Sequence, residues 1–336
     1  MKKPSKKQEN PLCKRGKLLT LHRYTIKNAM KYKITLIICC LMAAFMAANA
    51  QSEIITLRVM TYNIRHGAGM DDVVDLDRQA KIIQDAGPDI VGLQEVDSIV
   101  PRSGKVDETA YLAQRLGMYG SYGPAIPLSG GKYGVAILSK ERPLSVRNIP
   151  LPGKEPRTLL VCEFQDYVFA TTHLDLEEEN RLASLPIITE EASRHEKPFF
   201  ICGDWNDEPD SKLIISMKKN NFVFMNNITD TSTSYTFPAG KPTITIDYIA
   251  SLGRVFRSVR NKKVINEPVA SDHRPVYLEV RFDQPTDIRP VSANGVNLPT
   301  EDIYDLSGKK ITNQKLSPGV YIQKKKDKKR KFLSKD

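Results

Sequence analysis

Short β-rich runs alternate with helical patterns from residue 54 onward, and this alternation constrains the fold more than any other feature of the chain. Residues 54–62 and 89–95 are rich in apolar and β-branched side chains, as strands are. Between them, apolar residues recur at helical spacing over residues 76–86, and Gly87-Pro88 marks the end of that pattern. The sequence therefore predicts a strand, a helix and a second strand here.

The same alternation continues through the middle of the chain. A helix is predicted over residues 107–116, and four runs then follow with only turn residues between them, which favours antiparallel pairing. These four runs are residues 133–139, 144–149, 158–164 and 167–173. The remaining predicted elements are helices over residues 178–194 and after Pro209, and strands over residues 198–203, 245–250 and 276–282. The pattern indicates an α/β domain with mixed sheets faced by helices.

The basic net charge of the protein, +11, comes from the two ends of the chain. Residues 1–50 carry 11 Lys and Arg against one acidic residue, and residues 284–336 carry 12 against 6. The stretch between them has 27 basic and 32 acidic residues, a net charge of about −5. A protein that grips a nucleic-acid duplex needs Lys and Arg aimed at phosphates. The stretch between the two ends, residues 51–283, therefore has no strong signature of nucleic-acid binding.

The N-terminus has the layout of a secretory signal peptide. A basic segment leads into the apolar residues 34–48, and Ala48-Asn49-Ala50 provides an A-x-A cleavage site before Gln51. An uncleaved membrane anchor is the alternative, but about fifteen apolar residues fall short of the roughly twenty that span a bilayer. We expect export to the periplasm, the cell surface or the medium, with no transmembrane span after cleavage. Translation could start at Met1 or Met30.

Three regions follow from these composition changes: an N-terminal extension and signal peptide (1–50), a body (51–283) that contains all the motifs described below, and a tail (284–336). In the tail, residues 303–308 and 316–322 indicate two short strands before a basic end, and this resembles the C-terminal β-tails of exported Bacteroidetes proteins, some of which are sorting signals. The body keeps two cysteines, Cys162 and Cys202, each within an apolar run. Two cysteines make no disulfide framework, and we expect buried free thiols.

Polar side chains follow the predicted buried strands at the ends where α/β sheets present their sites. The segments are MTYNIRHG (Asn63), VGLQEVD (Glu95), FATTHLD (His173), FICGDWNDEP (Asp204, Asn206), TIDYI (Asp247) and SDHRPV (Asp272, His273). Taken singly, an Asn or Asp in such a place is usually a turn or cap residue, and a histidine can be a satisfied core residue. Glu95 is harder to explain in that way, because a buried charge needs a partner or a cation.

The ordered set of motifs TYNIR, LQEVD, YGVAILS, THL, GDWND, TIDYI and SDHRPV resembles the endonuclease/exonuclease/phosphatase superfamily, over residues 57–282. This superfamily includes pancreatic-type DNases, abasic-site endonucleases, neutral sphingomyelinases and inositol-polyphosphate phosphatases. The resemblance implies a four-layer α/β sandwich of two mixed, largely antiparallel β-sheets flanked by helices. It also implies a metal-dependent phosphoric ester hydrolase.

The resemblance further implies a role for each matched residue. Glu95 resembles the principal ligand of Mg²⁺ or Mn²⁺, with Asn63 and Asp272 in the metal and water shell. Asp204 matches the residue that orients or deprotonates the attacking water, and Asn206 the residue that holds the phosphoryl oxygens. The remaining matches are an Asp–His pair (Asp247, His273), a second active-site histidine (His173) and a phosphate-contacting arginine (Arg157). Oxygen ligands suit a hard cation.

The substrate class is less constrained than the chemistry. The acidic body and the THL segment favour a small phosphodiester, a lipid headgroup or a sugar phosphate, and the signature of inositol 5-phosphatases is absent because TIDYI stands in its place. A secreted nuclease is one alternative. The other is a binding protein that keeps the fold without catalysis, which the complete set of competent residues disfavours. We expect a monomer.

Overall fold

The computed structural model describes residues 53–228 and 233–284 in full, and it describes five strands beyond residue 284 by their backbone. The predicted signal peptide lies outside the described residues, so its cleavage stays a prediction. Among the described residues, no helix is both long and apolar enough to cross a membrane.

The described residues of the body form four α-helices and twelve strands. The helices are α1 (Leu76–Ala86), α2 (Glu108–Leu116), α3 (Glu178–Ser193) and α4 (Lys212–Lys219). The first six strands are β1 (Ile54–Asn63), β2 (Ile90–Ser98), β3 (Tyr119–Leu128), β4 (Gly131–Ser139), β5 (Ser145–Leu151) and β6 (Arg157–Glu163). The next six are β7 (Val168–His173), β8 (Phe199–Asp204), β9 (Phe222–Phe224), β10 (Asp247–Leu252), β11 (Ser258–Val264) and β12 (Val276–Asp283).

Local sequence determines where the first two helices begin and end. The Asp75 carboxylate caps α1 by accepting a hydrogen bond from the backbone N–H of Arg78, and Asp107 caps α2 in the same way. Both helices end at a glycine with left-handed backbone geometry, Gly87 and Gly117. The predicted helix over residues 76–86 therefore coincides with α1.

The strands form two six-stranded sheets. The order is β11-β12-β1-β2-β4-β3 in the first sheet and β5-β6-β7-β8-β10-β9 in the second. Within each sheet one pair is parallel, β1 with β2 and β7 with β8, and the other pairs are antiparallel. The predicted mixed, largely antiparallel architecture is confirmed.

Apolar side chains fill three layers of packing. One cluster lies between the two sheets and contains both cysteines as buried free thiols, as predicted. A second cluster packs α3 and α4 on the outer face of the second sheet, and a third packs α1 and α2 on the outer face of the first. Gly92 is required between the sheets, because a Cβ there would lie 2.3 Å from Sγ of Cys202. The result is the predicted four-layer sandwich.

Three strands of the body were not predicted, and all three, β3, β9 and β11, lie at sheet edges. β3 contains two glycines and two prolines, which an edge strand tolerates because one side of its backbone makes no ladder. β11 is mostly exposed and basic. Neither has the apolar alternation by which a half-buried strand is recognised.

The tail forms a separate sheet in the order β13 (Arg289–Ser292), β17 (Lys328–Lys335), β16 (Gly319–Lys325), β14 (Asp302–Tyr304) and β15 (Lys310–Ile311). The two predicted strands correspond to β14 and β16. Much of the terminal basic run lies in β16 and β17, which pair antiparallel. A sorting function for this tail stays a prediction.

Candidate active site

The strand ends that carry the predicted polar residues meet at one edge of the sandwich. Because β1 and β2 are parallel, Asn63 and Glu95 lie at the same end of the first sheet. In the second sheet His173, at the end of β7, is in register with Asp204, at the end of the parallel strand β8. Asp247 begins β10 and is in register with Asp204 from the other side, because β10 runs antiparallel to β8.

A close approach of β7 and β8 brings His173 and Asp204 together. Gly203, directly before Asp204, has a φ of +150°. A Cβ at Gly203 would lie 1.9 Å from the carbonyl oxygen of Thr172, so only glycine fits here. The GD pair in the GDWND motif therefore has a structural reason: glycine permits the approach, and the aspartate that follows it enters the site.

Asn63 joins the two sheets at the centre of the site. Its Nδ2 donates to Oε1 of Glu95 at 3.0 Å and to Oδ2 of Asp204 at 3.1 Å. Its Oδ1 accepts the backbone N–H of Arg65, and its backbone carbonyl accepts the hydroxyl of Ser271 at 2.7 Å. Asn63 is fully buried. It therefore fixes one carboxylate from each sheet in a shared position.

His273 is held between two buried carboxylates. Its Nδ1 lies 3.0 Å from Oδ2 of Asp247, and its Nε2 lies 3.5 Å from Oδ2 of Asp204. Burial alone would lower the pKa of His273, but the charges of Asp247 and Asp204 and the hydrogen bond to Asp247 raise that pKa to about 10. The imidazole is therefore a cation at neutral pH, with Nδ1 donating to Asp247. The predicted Asp–His pair is present in the structure.

His173 has the opposite electrostatic behaviour. Its Nε2 lies 3.5 Å from Oδ2 of Asp204, and its Nδ1 lies 3.5 Å from the hydroxyl of Tyr133. Burial, with the positive charges of Arg157 and His273, places the pKa of His173 well below the usual value. Burial also raises the pKa of Asp204, although the charge of His273 opposes that rise. The site thus contains one charged and one neutral imidazole on either side of one carboxylate.

Glu95 lies at a distortion of β2. Its backbone has a φ of +57°, and the register between β2 and β4 shifts between Leu93 and Val96. A non-glycine residue in this geometry indicates local strain, which tends to occur at functional sites. Burial raises the pKa of Glu95, whereas the hydrogen bond from Asn63 lowers it. Asn63 is the sole hydrogen-bond partner of this carboxylate among the described residues.

The three other predicted residues lie near the site with additional contacts. Asp272 accepts from the Ser271 hydroxyl at 3.3 Å, and its Oδ2 lies 3.9 Å from Nε of Arg65. Its negative charge acts on Glu95 and raises the pKa there. The predicted metal residue Asp272 is therefore partly neutralised by Arg65.

Asn206 uses its side-chain amide inside the protein, since Nδ2 donates to the carbonyl of Leu174 at 2.9 Å. Its backbone N–H donates to Oδ1 of Asp204, and its φ of +50° is in the left-handed region that asparagine tolerates. Asn206 thus holds the loop that follows Asp204, and its contact with phosphoryl oxygens stays a prediction.

Arg157 is buried at the start of β6 beside the site. Its Nη1 lies 3.0 Å from Glu155 and its Nε lies 3.9 Å from Asp175, but that Nε donates no hydrogen bond among the described residues. A buried guanidinium with an unused donor is available to an anion. Its charge also lowers the pKa of His173, and its contact with a phosphate stays a prediction.

Tyr133 is a site residue that the sequence predictions omit. It begins the YGVAILS motif in β4, is largely buried, and points its hydroxyl toward His173. Burial and the charge of Glu95 raise the pKa of this phenol, so it stays protonated and can donate. The signal was present in the sequence, since Tyr133 is the first residue of YGVAILS, one of the ordered motifs.

Two sets of residues could hold a divalent cation. Ligand atoms of Asp204, Asp247 and His273 all lie within 4.8 Å of one another. The positively charged His273 already compensates these two carboxylates, which disfavours a cation among them. Glu95 accepts its one hydrogen bond among the described residues from the neutral amide of Asn63, and the charges of His273 and Arg102 act on it only from a distance. A partly buried carboxylate with a raised pKa fits a hard cation. The position of a metal beside Glu95 stays a prediction.

Comparisons with known proteins agree with this geometry. The profile described as Endonuclease/Exonuclease/phosphatase family matches residues 60–273. A family protein from Bacteroides thetaiotaomicron superposes with a TM-score of 0.57 at 18% identity, covering 69% of this chain and 97% of its own. A mannosyl-6-phosphatase from the same organism superposes with a TM-score of 0.54 at 17% identity, covering 67% of this chain and 99% of its own.

A 2′,3′-cyclic phosphatase gives a TM-score of 0.54 at 17% identity, covering 68% of this chain and 95% of its own. At these identities the structural likeness shows the fold. Comparison with curated protein sequences gave no match. The family profile spans more than half of the chain and includes Asn63, Glu95, Asp204 and His273. The chain belongs to the endonuclease/exonuclease/phosphatase family, and so to a class of enzymes that hydrolyse phosphate esters.

Proposed function

We propose that the protein is an exported, divalent-metal-dependent hydrolase of small phosphate esters. The observation that carries this proposal is the contact of His273 with Asp247 at 3.0 Å, next to Asp204 and the Asn63–Glu95 pair. Together these residues offer a water-activating carboxylate, a fixed cation and a place for a metal. Phosphate ester hydrolysis needs these three functions.

Each residue has a role that follows from its charge and partners. Asp204 is the group that orients the attacking water and accepts its proton, because burial raises its pKa toward neutrality. The charged His273 donates from Nε2 to a phosphoryl oxygen, while Asp247 holds its other nitrogen. The neutral His173 and the protonated Tyr133 add hydrogen bonds to the phosphate or the leaving oxygen.

A Mg²⁺ or Mn²⁺ ion, held by Glu95 with Asn63 and Asp272 beside it, would neutralise negative charge on the phosphoryl group. Arg157 would add a second positive charge. The amide of Asn206, which now bonds to Leu174, would contact the phosphate only if that bond were exchanged. We therefore rank Asn206 below the other predicted phosphate contacts.

A small substrate is favoured over DNA by two observations. The body carries a net charge of about −5, which does not favour an extended polyanion. Two solved structures that share the fold are named as a mannosyl-6-phosphatase and a 2′,3′-cyclic phosphatase. The substrate class is a sugar phosphate, a lipid headgroup or another small ester. A secreted nuclease is the second candidate.

The experiment that tests this proposal is a substrate panel with the purified full chain. Glycerophosphodiesters, phosphorylated sugars, sphingomyelin and plasmid DNA would each be assayed with Mg²⁺, with Mn²⁺ and with EDTA. We expect metal-dependent hydrolysis with small esters preferred. Preference for plasmid DNA would select the nuclease, and no hydrolysis of any ester would select a binding protein without catalysis.

Export and a monomeric state complete the proposal. The signal-peptide layout of residues 1–50 supports export. Recovery from the native host should give a chain that begins at or near Gln51. A chain with its first fifty residues intact inside the cell would contradict this part of the proposal. Light scattering of the purified protein tests the monomeric state.

A further inference from the structure

A group of side chains lies beside Glu95, and the proposed catalysis uses only one of its members, Tyr133. We call it the Arg102 cluster, and it consists of Arg102, Asp97, Tyr133 and His66. Asp97 lies two residues after Glu95 in β2, and Arg102 lies in the 3₁₀ turn Pro101–Ser103 that follows this strand. The cluster therefore borders the proposed metal carboxylate.

Arg102 is held in one orientation by a buried carboxylate. Its Nε and Nη2 donate to the two oxygens of Asp97, both at 2.8 Å, and the hydroxyl of Ser103 adds a bond to Asp97 at 3.0 Å. The Asp97 side chain is completely buried, whereas 42% of the Arg102 side chain is exposed. Burying a carboxylate costs free energy unless a positive charge compensates it. Arg102 supplies that charge, and its two hydrogen bonds to Asp97 fix the orientation of the exposed guanidinium.

The remaining guanidinium nitrogen of Arg102, Nη1, has no hydrogen-bond partner among the described residues. A planar guanidinium that is already oriented loses little freedom when it binds a carboxylate or a phosphate. Arg65 differs in this respect, because its nitrogens already contact Asp72, Gly69 and Asp272. Arg102 is thus the better placed of these two arginines to receive an anion.

The side chain of Tyr133 lies between Arg102 and His173. Cζ of Arg102 is 5.4 Å from the centroid of the Tyr133 ring, and the hydroxyl of the same tyrosine is 3.5 Å from Nδ1 of His173. The positive charge of Arg102 also acts on Glu95 and on His66. A phosphate bound between His173 and His273 therefore leaves Arg102 to contact another part of the same substrate.

His66 belongs to this cluster through a strained turn. Arg65 and His66 have φ values of +46° and +44°, and two consecutive non-glycine residues in this region are rare. Such strain persists where the surrounding structure imposes it, often at ligand sites. Nδ1 of His66 is buried and makes no hydrogen bond among the described residues. The turn is anchored to β2, because the backbone N–H of Ile64 donates to the carbonyl of Gln94, so the unsatisfied imidazole of His66 lies near the strand that carries Asp97.

We propose that Arg102 and His66 form a subsite for a second anionic group of the substrate. This inference rests on the proposed function and narrows its substrate class. The preferred substrates are small phosphate esters that also carry a carboxylate or a second phosphate several ångströms from the bond that is cleaved. Asp97 is a positioning residue for Arg102, and Tyr133 separates the subsite from His173.

Two matched pairs of esters test the subsite at two separations between the anionic groups. The first pair is glycerol 3-phosphate and 3-phosphoglycerate, and the second is sorbitol 6-phosphate and 6-phosphogluconate. Each pair differs by one carboxylate. Wild type should prefer at least one acid by about tenfold in kcat/KM, as a hydrogen bond to a charged group allows. Arg102→Gln should remove this preference by raising KM for the acid, with kcat unchanged.

Control variants separate the charge from its orientation. Arg102→Lys keeps the charge beside Asp97 and should keep part of the preference, which also guards against misfolding of Arg102→Gln. Arg115→Gln removes an arginine that is paired with Asp77 on the surface, and it should leave the preference unchanged. Thermal-shift titrations with the same four compounds measure affinity without turnover, so they test the subsite even if hydrolysis of esters fails.

Several results would overturn the subsite. One is that wild type has the same kcat/KM and the same affinity for the two members of each pair. Another is that Arg102→Gln keeps the full preference for the acid. A fall in kcat on all four esters would instead make Arg102 part of the catalytic centre. Loss of activity in Arg102→Gln on a short DNA oligonucleotide alone would assign the arginine to a neighbouring nucleic-acid phosphate, which also contradicts the proposal.

Discussion

Nδ1 of His273 lies 3.0 Å from Oδ2 of Asp247, although the histidine precedes β12 of the first sheet and the aspartate begins β10 of the second. The contact gives the imidazole a fixed orientation and leaves Nε2 toward Asp204. A histidine held in this way depends on its carboxylate for both its charge and its direction.

The first prediction concerns this pair as a unit. His273→Ala should lower turnover by about 10²- to 10⁴-fold, the range of a general acid or base. Asp247→Asn should lose much of the same factor, because an amide does not stabilise an imidazolium. The double variant should lose much less than the product of the two single losses. Turnover and melting temperature would be measured for all three variants.

The competing interpretation is that Asp247 only stabilises the loop in which it lies. In that case Asp247→Asn would lower the melting temperature and leave turnover near that of wild type. Such a result would remove this half of the site from the mechanism.

The second prediction concerns the dependence of stability on pH. The pKa of His273 is raised from 6.5 to about 10 in the folded protein, so its contribution to stability is complete below pH 6.5 and is lost as pH rises toward 10. The difference in unfolding free energy between wild type and His273→Gln should therefore decrease as pH rises from 6.5 to 10. Urea unfolding in EDTA at several pH values measures that difference.

His195→Gln is the control for this measurement. His195 is partly buried and its pKa is lowered by burial and by neighbouring positive charges, so it stays neutral between pH 6.5 and 10. Its removal should leave the pH dependence in that range as in wild type. A difference for His273→Gln that stays constant with pH would contradict the proposed ion pairs.

The third prediction concerns the metal site at Glu95. Activity should vanish with EDTA and return with Mg²⁺ or Mn²⁺, and Glu95→Gln should need at least about tenfold more metal for half-maximal activity, since it removes the charged ligand. Glu190→Gln, an exposed residue of α3 paired with Arg194, is the matched control. Full activity in chelator would refute the metal dependence.

The fourth prediction uses Asn63, which donates to two carboxylates at once. Asn63→Asp keeps the shape but replaces the donor by a third negative charge beside Glu95 and Asp204. Without metal the melting temperature should fall, by an amount equivalent to about 1–3 kcal/mol or more of unfolding free energy. The rise in melting temperature on adding Mg²⁺ should then exceed that of wild type.

Asn261→Asp in the exposed edge strand β11 controls for the general effect of an added acidic residue. It should change neither the melting temperature in EDTA nor the response to Mg²⁺ by a comparable amount. An Asn63→Asp protein as stable as wild type in EDTA would mean that the two hydrogen bonds contribute little.

The central strands were predictable from sequence because burial on both faces leaves long apolar runs, as in β2, β7 and β8. Their polar ends were predictable for the same reason, since a polar residue directly after such a run stands out. The edge strands β3 and β11 were not, because an edge strand needs little apolar alternation and can contain proline and lysine.

The contacts of the site residues required the structure. No periodicity in the sequence shows that Asp272 approaches Arg65, or that the Asn206 amide bonds to Leu174. The orientation of Arg102 depends on the burial of Asp97, which results from the packing of α2 and the following turn against β2. Such relationships arise from tertiary packing, which local propensity does not encode.

The hydrogen bond from Asn63 to Asp204 joins residues 141 positions apart and crosses from one sheet to the other. Neither sheet contains all of the site residues, so the site forms only when the two sheets have packed against each other. Contacts of such long sequence separation are expected to form late in folding. Recovery of turnover during refolding should therefore trail the recovery of β-sheet signal, and enzymatic activity becomes a kinetic reporter of the docking step.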